Sequence, residues 1–250
     1  MNVQKILALV KTELKKLIRE PAFLFLLILF PAMLTFFFGL GFAEIESGIP
    51  GVSQFDVMVP GLYAFVCIFI IMTVAQSFSE DREKGLLRRM NTTPLTSGEF
   101  IGSHVISNTL ISVLQVVIVV VLSFLMGYRH SGGVGGLAIA FIFMSFLSVC
   151  SVGLGLITAT IAKSSGAATG ISFIFIMPQM FLGTYIIPTG TAQAISMFLP
   201  SAYVTDGITM IFNGTPLTNP VIWIKLITVA LISVVIIIAG ILLFKRYGNR

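Results

Sequence analysis

The sequence predicts an all-α membrane protein with six transmembrane helices. Three observations support this class: 56% of the residues are hydrophobic, only 10% are charged, and the mean hydropathy is +1.03. Soluble domains usually carry charge on about a quarter of their residues. A chain of 250 residues with this composition cannot cover its surface with polar groups, so we expect it to lie in a membrane.

Residues 2–20 predict an amphipathic helix at the membrane interface. Apolar side chains recur there at helical spacing, lysines and Arg19 occupy the other face, and Pro21 ends the pattern. A basic amphipathic helix lies in the membrane surface rather than crossing it. The alternative is an ordinary solvated helix packed on a neighbouring element.

Six uncharged runs predict the transmembrane helices, because an α-helix needs about 20 apolar residues to cross the hydrocarbon core. The runs are continuous, whereas the strands of a β-barrel would alternate apolar and polar residues. The first run contains Pro31, which removes a backbone hydrogen bond and is expected to kink the helix. The predicted spans are residues 22–43, 57–78, 100–127, 134–162, 166–187 and 221–244.

Small residues open the fifth predicted span. Gly166 and Gly170 form a GxxxG pattern, which lets two helices approach closely in lipid. The pattern therefore predicts a dimer contact, although GxxxG also occurs often by chance.

The segment of residues 79–95 is rich in charged residues and lies between two apolar spans. It predicts a short cytoplasmic helix. Ser79 is the expected N-cap, and Glu80 with Lys84 forms a favourable i,i+4 pair. A capping box from Thr96 to Glu99 is expected to start the third span. Such a rigid helix predicts a contact with another protein, and the alternative is a solvated loop. The predicted contact residues are Glu80, Arg82, Glu83, Gly85, Leu86, Leu87, Arg88, Arg89 and Met90.

Residues 188–220 form an unusually apolar connection before the last span. They contain no lysine or arginine and one acid, Asp206, and Pro200 interrupts their helically spaced apolar residues. We expect two half-helices that dip into the outer leaflet, with protein burying their exposed backbone ends. The alternative is a cap that only stabilises the outer face.

The basic residues predict the orientation of the chain. With both termini in the cytoplasm, 13 of the 15 Lys and Arg residues lie on the cytoplasmic side, as the positive-inside rule requires. This bias accounts for the pI of about 9.4, so membrane lipid and not nucleic acid is the expected partner. We expect a multi-pass protein of the cell membrane.

The predicted spans carry no ionisable side chain at mid-depth, which argues against proton coupling. The sequence contains no GxxxxGK[ST] loop, so the chain is not expected to hydrolyse ATP. No metal site or bound cofactor is predicted. The chain is then either a passive channel or facilitator, or it receives energy from a partner through the charged helix.

A membrane enzyme acting on lipids is the third hypothesis. It would need His, Asp or Ser side chains together at one membrane face. His104 and His130 are expected on opposite sides, and Asp206 is expected to have no nearby partner. This hypothesis is therefore the weakest.

Along its whole length the chain resembles the permease subunits of type-2 ABC exporters. The resemblance is carried by Pro31 in the first span, by FDVMVPGLY at residues 55–63, and by LPSAYVTDGITMIFNG at residues 199–214. EDREKGLLRRMNTTPLT resembles the coupling segment of the family, with Glu83, Gly85, Thr93 and Pro94 in matching places. Two positions depart: Leu86 stands where Thr is common, and Thr209 where an Arg often follows the Asp.

The resemblance implies one transmembrane domain over residues 1–250 and a homodimer that binds two cytoplasmic ABC ATPase subunits. The ATPases would hold ATP and Mg, and residues 79–95 would be the coupling helix. Spans one and five would line the dimer interface, consistent with Gly166 and Gly170. The implied function is ATP-driven export of an amphipathic substrate, such as a drug, a lipid or a lipid-linked glycan.

Overall fold

The computed structural model describes residues 3–19, 21–85, 97–185 and 189–247. All regular secondary structure in these residues is helical. The helices are α1 Val3–Arg19, α2 Pro21–Phe42, α3 Gln54–Glu83, α4 Ser97–Leu125, α5 Gly133–Ile161, α6 Ser165–Met180 continued by a π-helix Phe181–Tyr185, α7 Thr191–Ser196, α8 Pro200–Phe212 and α9 Pro220–Tyr247.

Five stretches of the described chain are long and apolar enough to cross a membrane, which confirms the all-helical membrane class. They lie in α3, α4, α5, α9 and in α6 together with its π-helix. The first predicted span corresponds to α2, whose described apolar stretch, Ile28–Phe42, is shorter. The sixth span therefore stays a prediction.

Helix α3 lies at the centre of the molecule. Every residue from Val59 to Ile71 is buried, and α2, α4, α5, α6 and α8 all pack against the helix. A helix that is hydrophobic on all sides is typically enclosed in this way. Large buried side chains pack together there, including Tyr63 of α3 and Phe143 and Leu147 of α5.

Glycines set the closest helix contacts. A Cβ atom on Gly155 of α5 would lie 2.6 Å from the Val74 Cβ of α3. A Cβ atom on Gly240 of α9 would lie 2.6 Å from the carbonyl oxygen of Gly153 in α5. On Gly61 of α3 it would overlap the carbonyl oxygen of Thr184 in the π-helix. Small residues thus bring the backbones together, as is common in membrane bundles.

The two ends of α3 are well defined. Ser53 is the N-cap and forms a capping box with Asp56: the Asp56 carboxylate accepts from the Ser53 N–H at 2.9 Å, and the Ser53 hydroxyl accepts from the Asp56 N–H at 3.1 Å. The helix ends at Glu83, and Gly85 then adopts a φ of +67°, which suits glycine. The N-cap predicted at Ser79 is wrong, because α3 continues without a break and Ser79 is buried inside it.

The connection before α9 contains two short helices, α7 and α8. Pro200 is the first residue of α8 and does not interrupt a helix, which fits the tolerance of proline in a first helical turn. Pro178 lies inside α6 just before the π-helix, where its missing N–H disturbs the regular hydrogen-bond ladder. The Ser201 hydroxyl donates to the Gln179 carbonyl oxygen at 3.2 Å, which fixes α8 to α6.

Substituting Gly61→Ala is expected to destabilise the protein by about 1–3 kcal/mol, because the new methyl group must displace the backbone at Thr184. This destabilisation would be measured as a lower thermal unfolding temperature of the Gly61→Ala variant in detergent. Gly41→Ala is the matched control, since no described atom lies within 4 Å of its Cβ position. Equal unfolding temperatures for the two variants would contradict the close contact.

Candidate functional site

The charged end of α3 carries the described part of the predicted protein contact. Glu80, Arg82 and Glu83 occupy the last turn of the helix, and Gly85 follows it. Residues 86–96, which hold the other predicted contact residues, lie outside the described chain. Glu80 accepts from the Lys84 ammonium at 2.6 Å, the i,i+4 pair that their spacing predicts.

Arg82 and Glu83 fix the end of α3 to the turn between α5 and α6. The Arg82 guanidinium donates to the carbonyl oxygen of Ala162. One oxygen of the Glu83 carboxylate accepts from the Ser165 N–H at 3.0 Å, and the other accepts from the Ser165 hydroxyl at 3.0 Å. These two side chains were predicted to face another protein, and both contact this turn of their own chain.

Glu83 also lies at the N-terminus of α6. Ser164 is the N-cap of this helix, and its hydroxyl accepts from the Ala167 N–H at 3.1 Å. The Glu83 carboxylate adds an acceptor and a negative charge where a helix presents free N–H groups and a partial positive charge. The contact therefore joins the end of α3 to the first turn of α6. Its strength is modest, as is usual for an exposed charged hydrogen bond.

Asp81 and His104 form a buried pair beside these contacts. The His104 Nε2 lies 3.5 Å from the Asp81 Oδ2, and their side chains are only 1% and 3% exposed. The His104 ring centre lies 4.4 Å from those of both Phe78 and Phe100. The pair joins α3 to α4, because polar side chains buried this deeply cost free energy unless a polar partner lies near them.

Asp206 has a partner, contrary to expectation. The Lys225 ammonium lies 3.2 Å from the Asp206 carboxylate and 5.9 Å from the centre of the Tyr203 ring. Lys225 belongs to α9, which packs against α8. The contact fixes α8 to α9.

The other candidate residues lie apart from the charged end of α3. Gly166 and Gly170 are exposed, with no described atom within 4 Å of their Cβ positions. Pro31 is buried inside α2, where the Thr35 hydroxyl donates to its carbonyl oxygen at 3.0 Å. The kink at Pro31 and the dimer contact stay predictions.

The two histidines lie at opposite ends of α4, as expected. His104 is in its second turn, whereas His130 follows the helix and stacks on Phe212 with ring centres 4.5 Å apart. Burial lowers the pKa of His130.

The arrangement defines a multi-pass helical membrane protein with charged contacts gathered at the ends of its helices. Residues 4–213 match the model of the ABC-2 type transporter family, and the chain belongs to that family. The predicted resemblance is therefore confirmed.

The chain is similar in sequence to two permeases. It is 23% identical over 196 residues to the daunorubicin resistance ABC transporter permease protein DrrB1 of Streptomyces coeruleorubidus, covering 75% of this chain and 66% of the relative. It is 25% identical over 154 residues to the "Probable multidrug ABC transporter permease YbhR" of Escherichia coli, covering 60% of this chain and 41% of the relative. The matches thus span about two thirds and two fifths of these relatives.

Replacing Glu83 by Gln should loosen the first turn of α6, because the amide is neutral and accepts hydrogen bonds less strongly. We expect about 0.5–1 kcal/mol lower local stability, the range of an exposed charged contact. Hydrogen exchange at Ser165–Thr169 would accelerate severalfold in this variant. Glu80→Gln removes a carboxylate from the same turn of α3 without touching α6, so equal exchange in both variants would exclude the capping role.

Proposed function

We propose that the chain is the permease subunit of an ATP-driven exporter, moving an amphipathic substrate such as a drug, a lipid or a lipid-linked glycan. Membership of the ABC-2 type transporter family supports the transport role. Both relatives, a daunorubicin resistance permease and a probable multidrug permease, support drug-like substrates. ATP and Mg would be bound by a separate ABC ATPase, present in two copies.

The observation that carries the proposal is the double contact of Arg82 and Glu83 with the α5–α6 turn. The charged segment of residues 86–96 follows Glu83 after two intervening residues, Lys84 and Gly85. A partner that displaces this segment would move the end of α3 and, through Glu83, the first turn of α6. The end of α3, which leads into this segment, is in this way connected to the α5–α6 turn by side-chain contacts.

A displacement of α6 would reach the opposite end of the bundle. Gln179 near its far end holds α8 through the Ser201 hydroxyl, and Gly183 of the π-helix packs against Ser201. A movement received at one end of α6 can therefore shift the α7–α8 pair at the other. This gives the proposed exporter a route from its ATPase to its exit.

The proposed assembly places six spans in the membrane, with α2 as the first, and both termini in the cytoplasm. Helix α1 would lie in the interface, where its exposed Leu7 and Ile18 could enter lipid. Two copies would pair through α2 and the open glycine face of α6 at Gly166 and Gly170. Helices α7 and α8 would dip into the outer leaflet.

Co-purification tests the proposal. The chain is expressed with an ABC ATPase encoded by a neighbouring gene, and the complex is isolated by a tag on the ATPase. Glu83→Lys combined with Arg88→Glu should abolish both co-purification and ATP-dependent export in membrane vesicles. It reverses the charge of Arg88 in the segment that would meet the ATPase, and it breaks the Glu83 contact that joins α3 to α6.

Glu46→Lys is the matched control for co-purification alone, since it reverses an exposed charge in the loop before α3 and should leave the complex intact. Two results would contradict the proposal. One is flux of substrate in vesicles that lack any ATPase, and the other is full activity of the double charge reversal.

A further inference from the structure

A cavity of 310 Å³ lies at the end of the bundle opposite the charged end of α3. It is an open cleft, lined by the α2–α3 loop, the first turn of α3 and the residues after α4. Its volume is at the lower end of the range for small-molecule sites, about 300–1,000 Å³. The lining residues are Ala43, Glu44, Ile45, Glu46, Gly51, Val52, Ser53, Phe55, Asp56, Met126, Gly127 and Tyr128.

The cavity is acidic. Three carboxylates line it, those of Glu44, Glu46 and Asp56, and its lining contains no lysine, arginine or histidine. Asp56 is held by its capping box with Ser53. Glu44 and Glu46 are exposed and form no ion pair with another residue of the described chain. The cavity therefore presents uncompensated negative charge.

Tyr128 gives independent information about what the cavity holds. The residue is only 3% exposed, yet its hydroxyl forms no hydrogen bond with another residue of the described chain. Burial, and to a smaller extent the negative charge of Asp56, raises the pKa of Tyr128, so the hydroxyl stays protonated. The hydroxyl is not sealed inside the bundle, because Tyr128 lines the cavity, and it therefore keeps a hydrogen-bonding position open to a molecule there. Its oxygen can accept a hydrogen bond from an ammonium group.

The remaining walls are apolar and aromatic. Phe55, Ile45, Val52, Met126 and Tyr128 are among the residues that line the cavity. Carboxylates combined with aromatic rings are the groups that bind organic cations, by charge attraction and cation–π contact. The described residues contain no group of three or more His, Cys, Asp or Glu placed to hold a metal ion. An organic cation thus fits this cavity better than a metal.

We propose that this cavity binds the ammonium group of an organic amine that carries an apolar or aromatic body. Glu44, Glu46 and Asp56 would attract the cation, and Tyr128 would accept its N–H. The inference rests on the proposed export function, and it names cationic amphiphiles as a substrate class that meets the protein at its exit end.

Binding to the purified chain in lipid nanodiscs tests this site without any ATPase. Labelled 2-phenylethylammonium is measured by equilibrium dialysis, with empty nanodiscs subtracted. Glu44→Gln combined with Glu46→Gln should weaken binding about tenfold, and Tyr128→Phe about threefold. Unlabelled 2-phenylethylammonium should displace the label, whereas the neutral 2-phenylethanol of similar size should not.

Asp206→Asn is the matched control, because it removes one carboxylate outside the cavity and should leave binding unchanged. The proposal is overturned by no binding above empty nanodiscs, by equal affinity in the double variant, or by an equal loss in Asp206→Asn. Displacement by 2-phenylethanol would also overturn it. None of these outcomes bears on the ATPase complex, which co-purification tests separately.

Discussion

The enclosure of α3 is the constraint on which the rest of the structure depends. Its residues from Val59 to Ile71 are buried on every side, so the helix cannot shift without moving the helices around it. The charged residues of α3 lie only in its first and last turns. One end is fixed by the Ser53–Asp56 capping box, and the other carries Asp81 and Glu83 in contact with α4 and α6.

This constraint connects the two sites. The charged contacts with the α5–α6 turn and the acidic cavity lie at opposite ends of the same rigid helix, since Asp56 lines the cavity and Glu83 holds α6. A partner that displaces one end of α3 would change the geometry at the other without any separate signalling element. The physical basis is that α3 is a single buried helix, with the cavity at one end and the contact to α6 at the other.

Long uncharged runs predicted the helices well because span length is fixed by the membrane and needs no knowledge of packing. The end of α3 was missed because charge was taken to end a span. Extending the helical spacing would have helped, since Val74, Phe78 and Asp81 share one face and all three are buried. The contacts of Glu83 with Ser165 and of Lys225 with Asp206 join residues 82 and 19 positions apart, and only the packing of helices creates them.

Hydroxyl groups inside the bundle explain why the charged ends matter so much. Thr158, Ser172 and Ser233 each donate to a carbonyl oxygen one turn earlier in their own helix. Such bonds use the hydroxyl proton within the same helix, so these side chains contribute little to contacts with a ligand or a partner. Charged groups at the helix ends are different, because water or a bound molecule can replace their contacts at small cost. Regulation and recognition are therefore expected to act at the ends of α3 and not at its middle.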